Sequence, residues 1–247
     1  MLRSTRDLSW VFNFAIHAVM AIGFLGHLAS VGTAADPKQG ETKILDLGDG
    51  VHLEVVYIPP GKFMMGSTEK ERAWATGIEG GAAPGTIREK YEGEARPMRV
   101  RDGFWMGRTE VSVGQFRRFV EESGYVTDAE RPGGETQVFD PNWDGYHLTT
   151  EVVHPWMSVS DKSWRDPNFA FPLRDDFPVV CVSWNDGRAF CKWLTERERN
   201  AGRLPKGLEY RLPTEAEWAY GCRGGSQESL YFWWGGESEE GAGRLNL

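Results

Sequence analysis

The sequence predicts an α+β domain in which irregular chain fills as much length as the regular elements, and three observations lead there. Three helix starts carry a hydroxyl cap: Ser112 and Thr214, each followed three residues later by a side chain that can bond back, Gln115 and Glu217, and Ser183, with Asp186 at the third helical position. A β-branched apolar run, Val51–Ile58, ends at Pro59-Pro60 as a strand should. Two long stretches, residues 69–96 and 130–177, carry Gly, Pro, Asp and Trp with little periodicity. With 247 residues, a formal charge of −8 and 40% hydrophobic residues, the composition is that of a globular protein of one main domain and too charged for a membrane bundle.

In chain order, residues 1–35 stand apart. Arg3 and Arg6 precede an apolar run over 10–28, and Ser30, Gly32, Thr33, Ala34 and Ala35 follow it, the pattern of a secretory signal peptide cut near Ala35. The competing reading is a membrane anchor, but Asn13, His17 and His27 interrupt the run. The expected location is therefore secreted or periplasmic. Residues 36–50 read as a polar, mobile linker, and 51–247 as the domain.

Residues 69–96 are expected to form a surface loop. The helix capped by Ser112 buries Phe116, Phe119 and Val120 and stops at Gly124. Trp143, Trp156 and Trp164 should pin the 130–177 region by aromatic burial rather than by a ladder of hydrogen bonds. The helix capped by Ser183 presents Ala189, Phe190, Trp193 and Leu194 to the core and reaches about Asn200, with Gly202 just past its end. After Pro213 marks a boundary, Thr214 caps a last helix. There Trp218 and Cys222, four residues apart, share one face, which is expected to be interior.

The acidic balance disfavours nucleic acid, whose phosphates call for a basic surface. Beyond residue 35 only His52, His147 and His154 remain, none at metal-ligand spacing, and no nucleophile elbow, phosphate loop or dinucleotide fingerprint is present. Glu196, Glu198, Glu239 and Glu240 read as a solvated face. Cys181, Cys191 and Cys222 are the informative side chains. In an exported chain they favour disulfides, yet three leave one unpaired, and a reactive thiol is the alternative for any of them.

Five blocks occur in an order that resembles the formylglycine-generating enzyme, or sulfatase-modifying factor, family. They are Ile58-Pro59-Pro60-Gly61-Lys62-Phe63-Met64-Met65-Gly66-Ser67; Thr109-Glu110-Val111-Ser112 with Gln115 to Val120; Thr127-Asp128-Ala129-Glu130; Trp164-Arg165-Asp166-Pro167 leading to Phe177-Pro178-Val179-Val180-Cys181-Val182-Ser183-Trp184-Asn185-Asp186-Gly187; and Arg211-Leu212-Pro213-Thr214-Glu215-Ala216-Glu217-Trp218 with Tyr220, Cys222, Arg223 and Gly224. The resemblance implies a fold related to C-type lectin-like domains. It also implies an oxidase that converts a cysteine of sulfatase polypeptides to formylglycine with copper(I) held by a cysteine pair.

That pair belongs to the C-terminal segment of the family, so the expectation is a domain incomplete beyond Leu247, with no catalytic residue or copper ligand assigned here. The resemblance further implies that Cys191 and Cys222 have disulfide partners in that segment. Cys181 stands where the family often has His and is expected to be a small buried hydrophobe. Asn246 and Leu247 resemble the start of a structural calcium site, supplying two of the six to eight oxygens that calcium takes. Because the scaffold also serves sulfoxide synthases and binding modules, a non-catalytic recognition domain is the alternative.

Overall fold

The computed structural model describes residues 23–25, 37–76, 93–140 and 156–224. In chain order its elements are β1 Gly23–Leu25, β2 Thr42–Gly48, β3 Val51–Ile58, β4 Gly61–Met65, α1 Glu69–Thr76, β5 Arg96–Val100, β6 Phe104–Gly107, α2 Val113–Ser123, β7 Thr136–Phe139, β8 Trp156–Val159, α3 Trp184–Asn200, β9 Glu209–Arg211 and α4 Glu215–Cys222. Short sheets and helices alternate with long irregular segments, as an α+β class requires. The described residues divide into two units, one from 58–76, 93–103 and 213–224 and the other from 23–25, 37–57, 104–140 and 156–212.

The second unit holds the larger core. β2 and β3 form an antiparallel hairpin closed by Gly48, Asp49 and Gly50, all at positive φ, and β6 lies on the other side of β3. Alternation along the hairpin buries Leu47, Leu53 and Val55 on one face. Against them lie α2, whose Gly124 at φ 67° ends the helix in the left-handed region, and α3. Their contact is aromatic: Phe116 meets Phe119 at 5.3 Å and Trp164 at 5.2 Å, and Phe119 meets Phe190 at 5.7 Å, edge-on in each case. Thr195 on α3 ties in β9, accepting from the Tyr210 amide at 2.8 Å and donating to the Cys191 and Tyr210 carbonyls.

In the first unit β4 and β5 pair antiparallel and α4 packs on both. Tyr220 is the anchor, its ring 5.3 Å from Phe63. It also explains Gly61, where a Cβ would come 2.0 Å from the Tyr220 hydroxyl oxygen. Arg223, just past α4, donates to the Gly66 carbonyl at 2.9 Å.

Several expectations are corrected. The segment read as a linker, 36–50, carries β2, because an alternating strand can pair with β3 although one of its faces stays exposed. Residues 69–96 open with α1, which Thr68 and Glu71 start by bonding to each other's amide region, so this is not loop throughout. In 130–177 a ladder does form, β7 with β8, beside the aromatic burial of Trp164. Trp218 is 40% exposed and Cys222 is exposed, so the two share a face as their spacing demands, but it is the outer one. Glu198 is buried at 1% exposure, where Arg203 donates to both of its carboxylate oxygens at 2.8 and 2.7 Å. Cys181 is half-buried rather than a core hydrophobe.

The signal-peptide reading of 1–35, apart from residues 23–25, lies outside the described residues, as do Trp143, His147, His154, Glu239, Glu240, Asn246 and Leu247. Among the described residues no helix is long and apolar enough to cross a membrane.

Candidate functional site

Among the described residues a densely bonded polar cluster lies in the second unit, where the turn at Thr127–Glu130 meets the start of α3 and the Trp164 loop. The turn forms because Thr127 and Glu130 bond each other: the Thr127 hydroxyl donates to Glu130 Oε2 at 2.8 Å and the Glu130 amide to the Thr127 carbonyl at 3.0 Å. Between them Asp128 points at α3. Its Oδ2 accepts from the Ser183 hydroxyl at 2.6 Å and from Asn185 at 2.9 Å, and its Oδ1 accepts from Arg131 at 2.6 Å.

Asp186, fully buried, faces the other way. Its Oδ1 accepts from the Tyr125 hydroxyl and from the Asp128 amide, each at 3.0 Å, and its Oδ2 from the Ser183 amide at 2.7 Å. Ser183 thus caps α3 and holds the turn with one hydroxyl, accepting from the Asp186 amide while donating to Asp128. Glu130 extends the cluster to the loop, accepting from Trp164 Nε1 at 3.4 Å and from Arg165 Nε at 2.8 Å.

These contacts set the charges. Hydrogen bonds from Ser183 and then Asn185 hold the Asp128 carboxyl below its usual range. Burial works against Glu130, but bonds from Thr127 and Arg165 outweigh it and keep its carboxyl low as well. Burial, then the bond to Asp186, pushes the Tyr125 hydroxyl up to about 12, so it stays a neutral donor. Every carboxylate oxygen of Asp128, Glu130 and Asp186 accepts a bond, which fixes all three side chains in place. The cluster is a clamp that joins two of the sequence blocks, Thr127–Glu130 and the one running from Trp164 to Gly187.

The cysteines are not brought together, and all three are free thiols. Cys191 is buried in α3, and burial pushes its thiol up to about 12. Cys181 has φ 57°, an uncommon backbone for a residue with a Cβ, and its sulfur lies 3.8 Å from the Gln137 carbonyl of β7; burial raises its thiol too. Desolvation likewise raises Cys222. Among the described residues no group of three or more His, Cys, Asp and Glu is placed to hold a metal ion.

Sequence reasoning quoted Thr127–Glu130 and Ser183–Asp186 as separate blocks and missed that they are one unit. The available signal was the density of short acceptors in both. It also missed the exposed apolar side chains on the second unit, Phe139, Met157, Phe169, Phe171 and Trp184. Phe169 and Phe171 stack at 5.1 Å, and Arg188 lies 4.7 Å over the Trp184 ring.

Residues 50–247 match the family described as sulfatase-modifying factor enzyme 1-like domain. The chain is 35% identical over 187 residues to the formylglycine-generating enzyme of Mus musculus, covering 73% of this chain and 42% of that protein. It is 34% identical to the formylglycine-generating enzyme of Thermomonospora curvata, with 78% and 56% covered, and 32% identical to the inactive C-alpha-formylglycine-generating enzyme 2 of Bos taurus, with 76% and 55% covered. The chain spans about half the length of the curated relatives it matches.

Proposed function

The chain belongs to the sulfatase-modifying factor family, and on that premise we propose that it carries the larger part of a formylglycine-generating oxidase domain that acts on a cysteine of sulfatase polypeptides. The observation that carries the reading is the joining of the family's sequence blocks by the Asp128–Asp186 clamp, in a chain about one third identical to proteins bearing that name. Under this reading the clamp is scaffold. It fixes the turn, the Trp164 loop and the α3 start, and the exposed aromatics of the same unit offer a docking face to a polypeptide.

Copper(I) is the oxidant-activating group this family reading brings with it, and the three cysteines here do not fit it. They are unpaired, and burial or desolvation holds their thiols protonated, whereas copper(I) takes thiolates. A structural calcium, held in part by the Asn246 side chain and the Leu247 carbonyl, a scaffold related to C-type lectin-like domains, and export to a secreted or periplasmic location complete the reading.

A recognition domain without oxidase chemistry is the second reading. The raised thiols favour it, as do relatives named as inactive. One experiment separates the two. The chain is offered copper(I) and a sulfatase-derived cysteine peptide, with binding followed by fluorescence anisotropy and aldehyde by mass spectrometry. Saturable binding supports both readings; aldehyde above the metal-free control selects the oxidase and would show that one of these cysteines does hold copper(I), against the misfit described above. Absence of binding to any sulfatase-derived cysteine peptide overturns both.

A further inference from the structure

The edge of β9 points to a site of a different kind. In a strand the amide and carbonyl of one residue face one side and those of the next residue face the other. Tyr210 turns its pair toward α3, where Thr195 satisfies both: the amide donates to the Thr195 hydroxyl oxygen at 2.8 Å and the carbonyl accepts from it at 3.3 Å. Glu209 and Arg211 therefore face away from α3. On that side β1 runs antiparallel, with Gly23 opposite Arg211, Phe24 opposite Tyr210 and Leu25 opposite Glu209.

The same β1 lies beside β6, the edge of the β2-β3-β6 sheet. A three-residue strand thus fills a slot between two sheet edges of the second unit. Its residues belong to the apolar N-terminal run that the sequence reads as a removable leader.

We propose that the slot between β6 and β9 is a strand-acceptor site for an extended apolar segment. Gly23–Leu25 fills it while the N-terminal run is attached, and it takes a strand of the same kind in trans once that run is removed. The binding mode is β-augmentation, in which backbone bonds to Glu209 and Arg211 supply affinity in the register that Gly23–Leu25 takes. Left empty, the slot would expose backbone groups on an open edge, which proteins cover or pair. The proposal does not depend on the oxidase reading.

The test keeps the full chain. A cleavage site for a sequence-specific protease is inserted between Ala35 and Asp36, the 247-residue protein is folded, and only then is it cut. The expected result is that fragment 1–35 stays with the body on gel filtration. Excess synthetic peptide of residues 20–28 should displace it. The same peptide with Leu25→Pro, which lacks the amide that the register sets opposite Glu209, should not. Amide exchange at Glu209 and Arg211 should quicken roughly tenfold or more when the fragment is washed out and slow again with the unmodified peptide. Departure of the fragment on cutting, with exchange at these two amides unchanged, would overturn the proposal. A body that protects them by dimerising with a second copy would overturn the assigned occupant.

Discussion

The helix starts at Ser183 and Thr214 are nearly the same in sequence and differ in what surrounds them. Both are capping boxes in which the cap hydroxyl accepts from the third amide of the helix and the third side chain returns a bond. At α4 the box lies at the surface, exposed at Thr214 and partly exposed at Glu217, and the turn it starts leaves Trp218 40% exposed. At α3 the same motif is inserted into a buried network, because Ser183 also donates to Asp128 and Asp186 also accepts from Tyr125 and Asp128. Identical local chemistry marks a helix start in both places. Only the tertiary partners decide whether it is a surface cap or a core junction.

The comparison predicts a ranking of effects. The largest belongs to Trp164→Ala, which empties the fully buried site between Phe116 and the Glu130 turn and should lower unfolding stability by about 3–5 kcal/mol in chemical denaturation. Next is Asp186→Ala, which strands the Tyr125 hydroxyl and the Asp128 and Ser183 amides. A loss of about 2–4 kcal/mol is expected, and an unchanged denaturation midpoint would show the network to be slack.

Acid should probe the same clamp. Asp128 and Glu130 titrate lower in the folded protein than when unfolded, so the stability they contribute is complete above the unfolded values, near pH 4 to 4.5. It drains away as pH falls through the lower folded ones. A thermal melt series from pH 7 down to pH 2 should hold steady and then drop below about pH 4.5. Asp128→Asn should soften the drop. The smallest effects lie at the exposed corner: Thr214→Ala should cost about 1 kcal/mol through the lost cap, and Trp218→Ala less than about 1 kcal/mol.

What could be read in advance follows the same division. Two capping boxes, the Ser183 cap, the bounds of β3, the stop at Gly124 and the buried face of α3 were legible, since each depends on residues within a turn or two of one another. The side to which a helix turns was not. Trp218 looks like a core residue by type, but in the first unit Tyr220, two positions on and so on another face, packs on Phe63 and takes that role.

Glu198 shows the converse. A carboxylate in a charged run reads as solvated, and only Arg203, brought round after the end of α3, makes its burial tolerable. β2 and β7 were missed because a strand of four to seven residues owes its existence to its partner more than to its own composition. The clamp was visible as blocks and invisible as a unit for the same reason, since 55 residues separate Asp128 from Ser183 along the chain and one hydrogen bond joins them in space.

The coherence of those blocks is the claim on which the functional reading stands, and a double-mutant cycle on Asp128→Ala and Ser183→Ala measures it most directly. Denaturation of the two single variants and the double variant should give a coupling energy of about 1–2 kcal/mol, with the double variant less damaged than the sum of the singles. Strict additivity, a coupling indistinguishable from zero, would contradict the clamp and return Thr127–Glu130 and Ser183–Asp186 to being independent surface turns.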